Sequence, residues 1–351
     1  MFSATRVYLV VILCLVVFAV PSLYRNYPTQ INNFVVTLED AASSVTSQLA
    51  AVILHNPRTI SELQTKFATN TLALADIATT TSIQSQSQAL PRPKVRILLV
   101  PGHEPNYGGT EFGTLKEREM NVELAQDLSN LLLADSHFQV YMTRDNQAWN
   151  PVFDSFFKDN WDSIKAWQKD SHKEMMHLIS IGSTTKPSSK VIHNTVPTNV
   201  ALRLYGITKW ANENIIDVVV HIHLNDFPDH KTGVPGKYTG FSIYVPVGQY
   251  ANSTTTKVVA ESVFKRLSND YAVSNLPGES SGVVDEPDLI AIGANNTADA
   301  ASMLIEYGYI YEPKFRTAAK RSTTLKAMAK DTYLGLLDFF SSDVSVTPRY
   351  F

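Results

Sequence analysis

The sequence predicts an α/β domain with a mostly parallel twisted sheet flanked by helices. Three observations carry that expectation. Between residues 94 and 345, short apolar runs alternate with longer stretches whose apolar residues recur at helical spacing. Several of those runs end in a histidine or a carboxylate, as strands ending at a site do. Of the 351 residues, 44% are hydrophobic and 18% charged, which suits a globular core.

The strands expected are Val95–Val100, Phe138–Met142, Asp217–His223, Gly240–Val245, Asp288–Ile292 and Met303–Glu306. Each is a short apolar run bounded by turn residues or charges. The helices expected are Glu119–Leu133, Pro197–Asn214, Thr255–Asn269 and Phe315–Phe340. In the third, Val259, Val263 and Leu267 fall at i, i+4 and i+8, one buried stripe. Residues 146–196 interrupt the alternation with an aromatic-rich, helical stretch and the loop STTKPSSK. An insertion of that length is expected to be a lid, a binding element or a regulatory segment. Its aromatics fit a cover for a groove or a small satellite core equally well.

Three regions follow. Residues 1–24 hold Arg6 and then about 18 mostly apolar residues, the length of a membrane anchor. Ala19-Val20-Pro21 is a poor cleavage site, so an uncleaved anchor with a cytoplasmic N-terminus is expected over a secreted form. Residues 25–93 read as a stalk, with helices near Asn32–Ile53 and Thr59–Ile77, closed by the linker TTTSIQSQSQALPRP. Residues 94–345, with the interruption at 146–196, form the α/β domain. The expected location is the cell envelope, with this domain outside the cytoplasmic membrane.

Composition removes several classes. A net charge of −3 gives no reason to expect nucleic acid as a partner. Cys14 is the only cysteine, so one chain can form no disulfide and no Cys-based zinc site. A transition-metal site must draw on His, Asp and Glu.

Such a set is present. Val95–Val100 breaks at Pro101-Gly102 and presents His103, and Glu117 follows fourteen residues later, just ahead of a helix. In DVVVHIHLND, strand alternation puts His221 and His223 on one side and Ile222 on the other. Those two histidines read as two ligands, or as one ligand and a neighbour. Glu306 ends another apolar run, where a charge is costly unless paired or used. Two imidazoles and a carboxylate make a hydrolytic zinc site with a fourth position open to water. A nearby unligated glutamate can take the water's proton and pass it to a leaving nitrogen. A rival cluster, His172, Glu174 and His177, has its histidines at i, i+5, about 140° apart on a helix, and reads as a solvated face. His193 and His230 stand alone in loops.

These residues resemble the zinc-dependent N-acetylmuramoyl-L-alanine amidase family. Its strand-end PGH is similar to Pro101-Gly102-His103, and its E-x-x-x-N-L-x-x-A to Glu117 through Ala125. Its TRxxD is matched in part by Thr143-Arg144-Asp145. Its R-x-x-x-A-N and D-x-x-x-S-I-H-x-N resemble Arg203 through Asn225, with His221 on the usual serine. Its v-L-v-E-x-G-F resembles Leu304 through Tyr309. The resemblance spans about residues 94–342. It implies one zinc ion held by His103, Glu117 and His223, with Glu306 as general base and acid. His221, Asn225 and Arg144 would then support the ligands from behind or meet the substrate, and His221 could also compete for the zinc. It also implies peptidoglycan as the substrate, cut between N-acetylmuramic acid and L-alanine, and leaves an activating protein partner open. Two other readings use the same residues: another exported zinc peptidase or deacetylase, and a non-catalytic cell-wall binding module.

Overall fold

A computed structural model describes residues 94–182, 197–227, 231, 233–247, 252–286, 289–292 and 299–341. The expected anchor (1–24), the stalk (25–93), the loop 183–190, His193 and His230 lie outside the described residues. Among the described residues, no helix is long and apolar enough to cross a membrane.

The elements, in chain order, are β1 (Val95–Pro101), β2 (Glu111–Phe112), β3 (Leu115–Lys116), α1 (Glu117–Leu133), β4 (Phe138–Met142), α2 (Pro151–Ser180) and α3 (Thr198–Glu213). Then come β5 (Val218–Asn225), β6 (Ser242–Pro246), α4 (Ser253–Asp270), β7 (Val283–Glu286), β8 (Ala301–Tyr309) and α5 (Ala318–Ser341). Six strands make one sheet in the order β4-β1-β5-β8-β6-β7, and β2 and β3 form a separate small hairpin. All neighbours in the large sheet run parallel except β6 and β8. The expected mostly parallel sheet is therefore present.

Alternation along the strands divides the core between two layers. Val95, Ile97 and Leu99 of β1 and Val218, Val220 and Ile222 of β5 pack with Leu124 and Leu128 of α1, Val263 of α4 and Met328 of α5. Leu98, Val100 and Val219 point the other way, beneath Phe153 and Phe157 of α2 and Leu202 and Trp210 of α3. Each such side chain contributes roughly 1.5–3 kcal/mol by leaving water. Strands buried on both faces read as unbroken apolar runs, which is why VRILLV and DVVV were legible.

The insertion is a long helix, and its start is written in Asn150-Pro151. Asn150 Oδ1 accepts from the Val152 amide at 3.0 Å, and Pro151 fills the first turn, where no amide hydrogen is needed. Phe153, Phe157 and Ile164 fall on one stripe of α2 and bury against α3. Gly206 of α3 allows this approach; a Cβ there would lie 2.9 Å from Ile164 and 3.0 Å from Phe157. The aromatics thus form a satellite core. Through this face α2 docks on α3. His172 and His177 lie exposed on α2, as a solvated face should.

One strand expectation is corrected. In place of a strand at Asp288–Ile292 there is a short 3-10 turn at Ile290–Ile292, packed on Tyr244 and Leu304; Asp288 itself lies outside the described residues. The strand in this part of the chain is β7, pairing with β6 at the sheet edge. Short apolar runs do not distinguish a buried turn from a strand, and Val283–Glu286 carries the charges of an edge.

Candidate active site

The carboxyl ends of β1, β5 and β8 lie side by side, so residues far apart in sequence meet there. The register sets the arrangement: Val100 is opposite His221, and His223 is opposite Glu306. The Gly102 amide donates to the Ile222 carbonyl at 2.9 Å and holds the chain beside β5 as it leaves β1.

Gly102 lies under the His223 imidazole. A Cβ at this position would come within 2.2 Å of the ring, so only glycine admits it. His103 then adopts φ = 70°, the left-handed region that costs an L-residue roughly 1–2 kcal/mol. Arg144 supports this turn. Its guanidinium is buried and donates to the carbonyls of Pro101 (3.1 Å), Asp145 (3.0 Å), Arg118 (3.0 Å) and Gly102. Burial pulls its pKa down to about 10. Arg144 therefore braces the backbone at the site. It stands behind the metal-facing side chains, on the carbonyls of the turn that carries His103.

Glu117 opens α1 and is 3% exposed. Its Oε1 stands 2.8 Å from His103 Nε2 and 3.1 Å from His223 Nδ1. The Leu224 amide (3.2 Å) and Asn121 Nδ2 (3.3 Å) donate to the same oxygen, and the Thr110 amide (2.9 Å) donates to Oε2. Burial alone would raise this carboxyl; the charges and hydrogen bonds of His103 and His223 outweigh that and hold it well below the ordinary range. The two imidazole rings meet edge to face, 4.9 Å apart. The ligand atoms of His103, Glu117 and His223 all lie within 4.8 Å of one another, a group able to hold a metal ion.

Glu306 stands next to this group on β8, 8% exposed, and its Oε2 has no hydrogen-bond partner among the described residues. Burial, then the nearby charges of Glu117 and Glu279, push its pKa well above the usual value. His221 is 2% exposed and sits apart from the three-residue group. Its pKa is lowered to about 3, first by burial and then by His223. An uncharged imidazole at this depth is a wall of the cleft.

A cleft of about 380 Å³ opens over these groups. Its polar end carries His103, Glu117, His223, Glu306, Asn225 and Asp226, and its apolar end is walled by Val100, Leu204, Ile207, Leu289 and Leu304. Trp149, at the start of the insertion, reaches the rim, and its indole donates to Glu104 at 3.3 Å. Sequence reasoning missed two carboxylates here. Glu104 pairs with Arg203 at 2.7 Å. Glu279 is 2% exposed and bonds Asn225, a residue the sequence did single out. Glu104 directly follows His103 and could have been found that way. Glu279 sits in a polar loop, LPGESSG, that carries no signal.

The model of the N-acetylmuramoyl-L-alanine amidase family matches residues 97–338. The chain belongs to this family. Its enzyme class is accordingly that of a peptidoglycan amidase, which hydrolyses the amide between N-acetylmuramic acid and L-alanine. Solved amidases are similar to it at low identity. The CwlD amidase from Clostridioides difficile, in complex with the GerS lipoprotein, is 18% identical over 71% of this chain and 100% of that one, with a TM-score of 0.47. Ami1 from Mycobacterium smegmatis is 15% identical over 71% and 100%, also at 0.47. No curated protein matches the sequence.

Gly102→Ala tests the geometry. The new methyl group would displace His223 from Glu117. Affinity of the three-residue group for an added divalent metal, read by competition with a chromophoric chelator, is expected to fall about tenfold to a hundredfold, while circular dichroism stays unchanged. Unchanged affinity would contradict the close packing of Gly102 on His223.

Proposed function

We propose that the amidase reaction of this chain depends on one zinc ion held by His103, Glu117 and His223, with Glu306 as general base and acid. The observation that carries it is the convergence of both imidazoles on one Glu117 oxygen, at 2.8 and 3.1 Å, beside a glutamate whose Oε2 is unpartnered. Two imidazoles and one carboxylate are the donor set of hydrolytic zinc sites, so the residues present fit the ion. When bound, zinc polarises the scissile carbonyl and lowers the pKa of water.

The chain's own groups do the rest. Glu306 Oε2 takes a proton from the attacking water as the new C–O bond forms. It returns that proton to the amide nitrogen as the C–N bond breaks. The products are the lactyl carboxylate on the glycan and a stem peptide with a free L-alanine amine. The half-buried imidazoles of His103 and His223, held through Glu117, fix the reacting centre beside Glu306. The other exported zinc hydrolases would use the same site, and only the product separates them. A non-catalytic module has no use for an unpartnered Glu306.

Full-length protein with zinc, incubated with peptidoglycan and analysed by mass spectrometry, is expected to release stem peptides beginning with L-alanine. Glu306→Ala is expected to lower the rate by about 10²–10⁴-fold with zinc still bound. Fragments cut within the stem, or an undiminished rate in the variant, would refute the proposal.

The apolar run after Arg6 supports a further part of the proposal, that residues 1–24 tether the enzyme to the outer side of the cytoplasmic membrane. The full chain is expected to sediment with membranes after alkaline carbonate washing. Release of the full-length chain into the wash would contradict the tether.

A further inference from the structure

We propose that Glu279 is a positioning residue: it fixes the Asn225 side-chain amide with the carbonyl oxygen toward the cleft, where that oxygen accepts the N–H of the scissile amide. This rests on the amidase reading and goes beyond it by assigning how the substrate's nitrogen is recognised.

Glu279 lies in the turn after α4, held by its own amide to the Leu276 carbonyl at 2.8 Å. Four groups donate to its carboxylate. Asn225 Nδ2 (2.8 Å) and the Tyr244 hydroxyl (2.5 Å) meet Oε1. The Ser274 hydroxyl (2.5 Å) and the Tyr309 hydroxyl (3.2 Å) meet Oε2. A carboxylate only accepts, and here its acceptor sites are filled. Asn225 can therefore face Glu279 only with its NH₂ group, because the flipped amide would set oxygen against oxygen. That fixes which end of the amide looks the other way. Asn225 lines the cleft beside His223 and Glu306, and its Oδ1 accepts no hydrogen bond from the described residues. Its backbone is held as well, since the Ile310 amide donates to the Asn225 carbonyl at 3.0 Å. What results is a rigid acceptor at the metal end of the cleft, next to the glutamate with the unpartnered oxygen. The donor that a secondary amide brings to that end of the cleft is the N–H of the bond that is cut.

The test compares two synthetic substrates with the zinc-loaded full-length chain: N-acetylmuramoyl-L-alanyl-D-isoglutamine, and its ester analogue with L-lactate in place of L-alanine. The ester lacks the N–H. Asn225→Leu and Glu279→Leu are each expected to lower kcat/KM on the amide about tenfold and to leave the ester nearly unchanged. The double variant is expected to lose no more than the worse single variant, since Glu279 acts through Asn225. Glu279→Gln keeps an acceptor for Asn225 and is expected to retain the preference for the amide, which holds the proposal testable if Glu279→Leu does not fold. Zinc content and thermal midpoint are read in parallel. Equal losses on both substrates, additive losses in the double variant, or an unchanged amide-to-ester ratio in Asn225→Leu overturn the role alone. If the unmutated chain cleaves neither compound, the amidase reading falls and this role falls with it.

Discussion

The meeting of His103 and His223 on one oxygen of Glu117 is the contact on which the rest of the site depends. A carboxylate this deeply buried is unfavourable by several kcal/mol unless cations or donors surround it. Here three amide donors and two imidazoles do so. The set fixes the ligand atoms of His103, Glu117 and His223 within 4.8 Å of one another between β1, α1 and β5, a group able to hold a metal ion.

The neighbouring structure can be understood from this contact outward. For His103 to reach Glu117, the chain must turn sharply at the end of β1, and a left-handed residue there needs outside support. Arg144 supplies it by gathering the carbonyls of the turn. For His223 to reach the same oxygen, its ring must lie flat against that turn, which excludes any side chain at residue 102. The small β2–β3 hairpin returns the chain to the first residue of α1, and the Thr110 side chain ties it to Asp226 at 2.7 Å. Glu306 then needs no further support, because its register with His223 comes from the pairing of β5 with β8.

How much of this was legible in the sequence follows from the range of the forces involved. Strand and helix periodicity is local, so VRILLV, DVVVHIH and the Val259 stripe placed the sheet, the helices and three of the strand-end residues. His103, His223 and Glu306 were legible because a polar residue ending an apolar run stands out, and Glu117 because it stands just ahead of a periodic helix. The LIAI run misled because apolarity alone does not tell a strand from a buried turn. The insertion's aromatics were readable as apolar but not as to what they cover, since the answer lies in Gly206 of another helix. Arg144 was legible as a site residue in Thr143-Arg144-Asp145, but its role was not, because its partners are backbone carbonyls, which no side-chain pattern reveals. Glu279 was invisible because three of its four partners, Asn225, Tyr244 and Tyr309, come from distant parts of the chain, and its own loop looks solvated.

The claim that everything here is arranged around a single metal is best tested by diffraction at the zinc absorption edge on crystals of the zinc-saturated full-length chain. The account predicts one anomalous peak about 2.0–2.2 Å from nitrogen atoms of His103 and His223 and an oxygen of Glu117, with His221 outside bonding distance. A peak bonded to His221 in place of any of these, or no peak between the ends of β1 and β5, would contradict it.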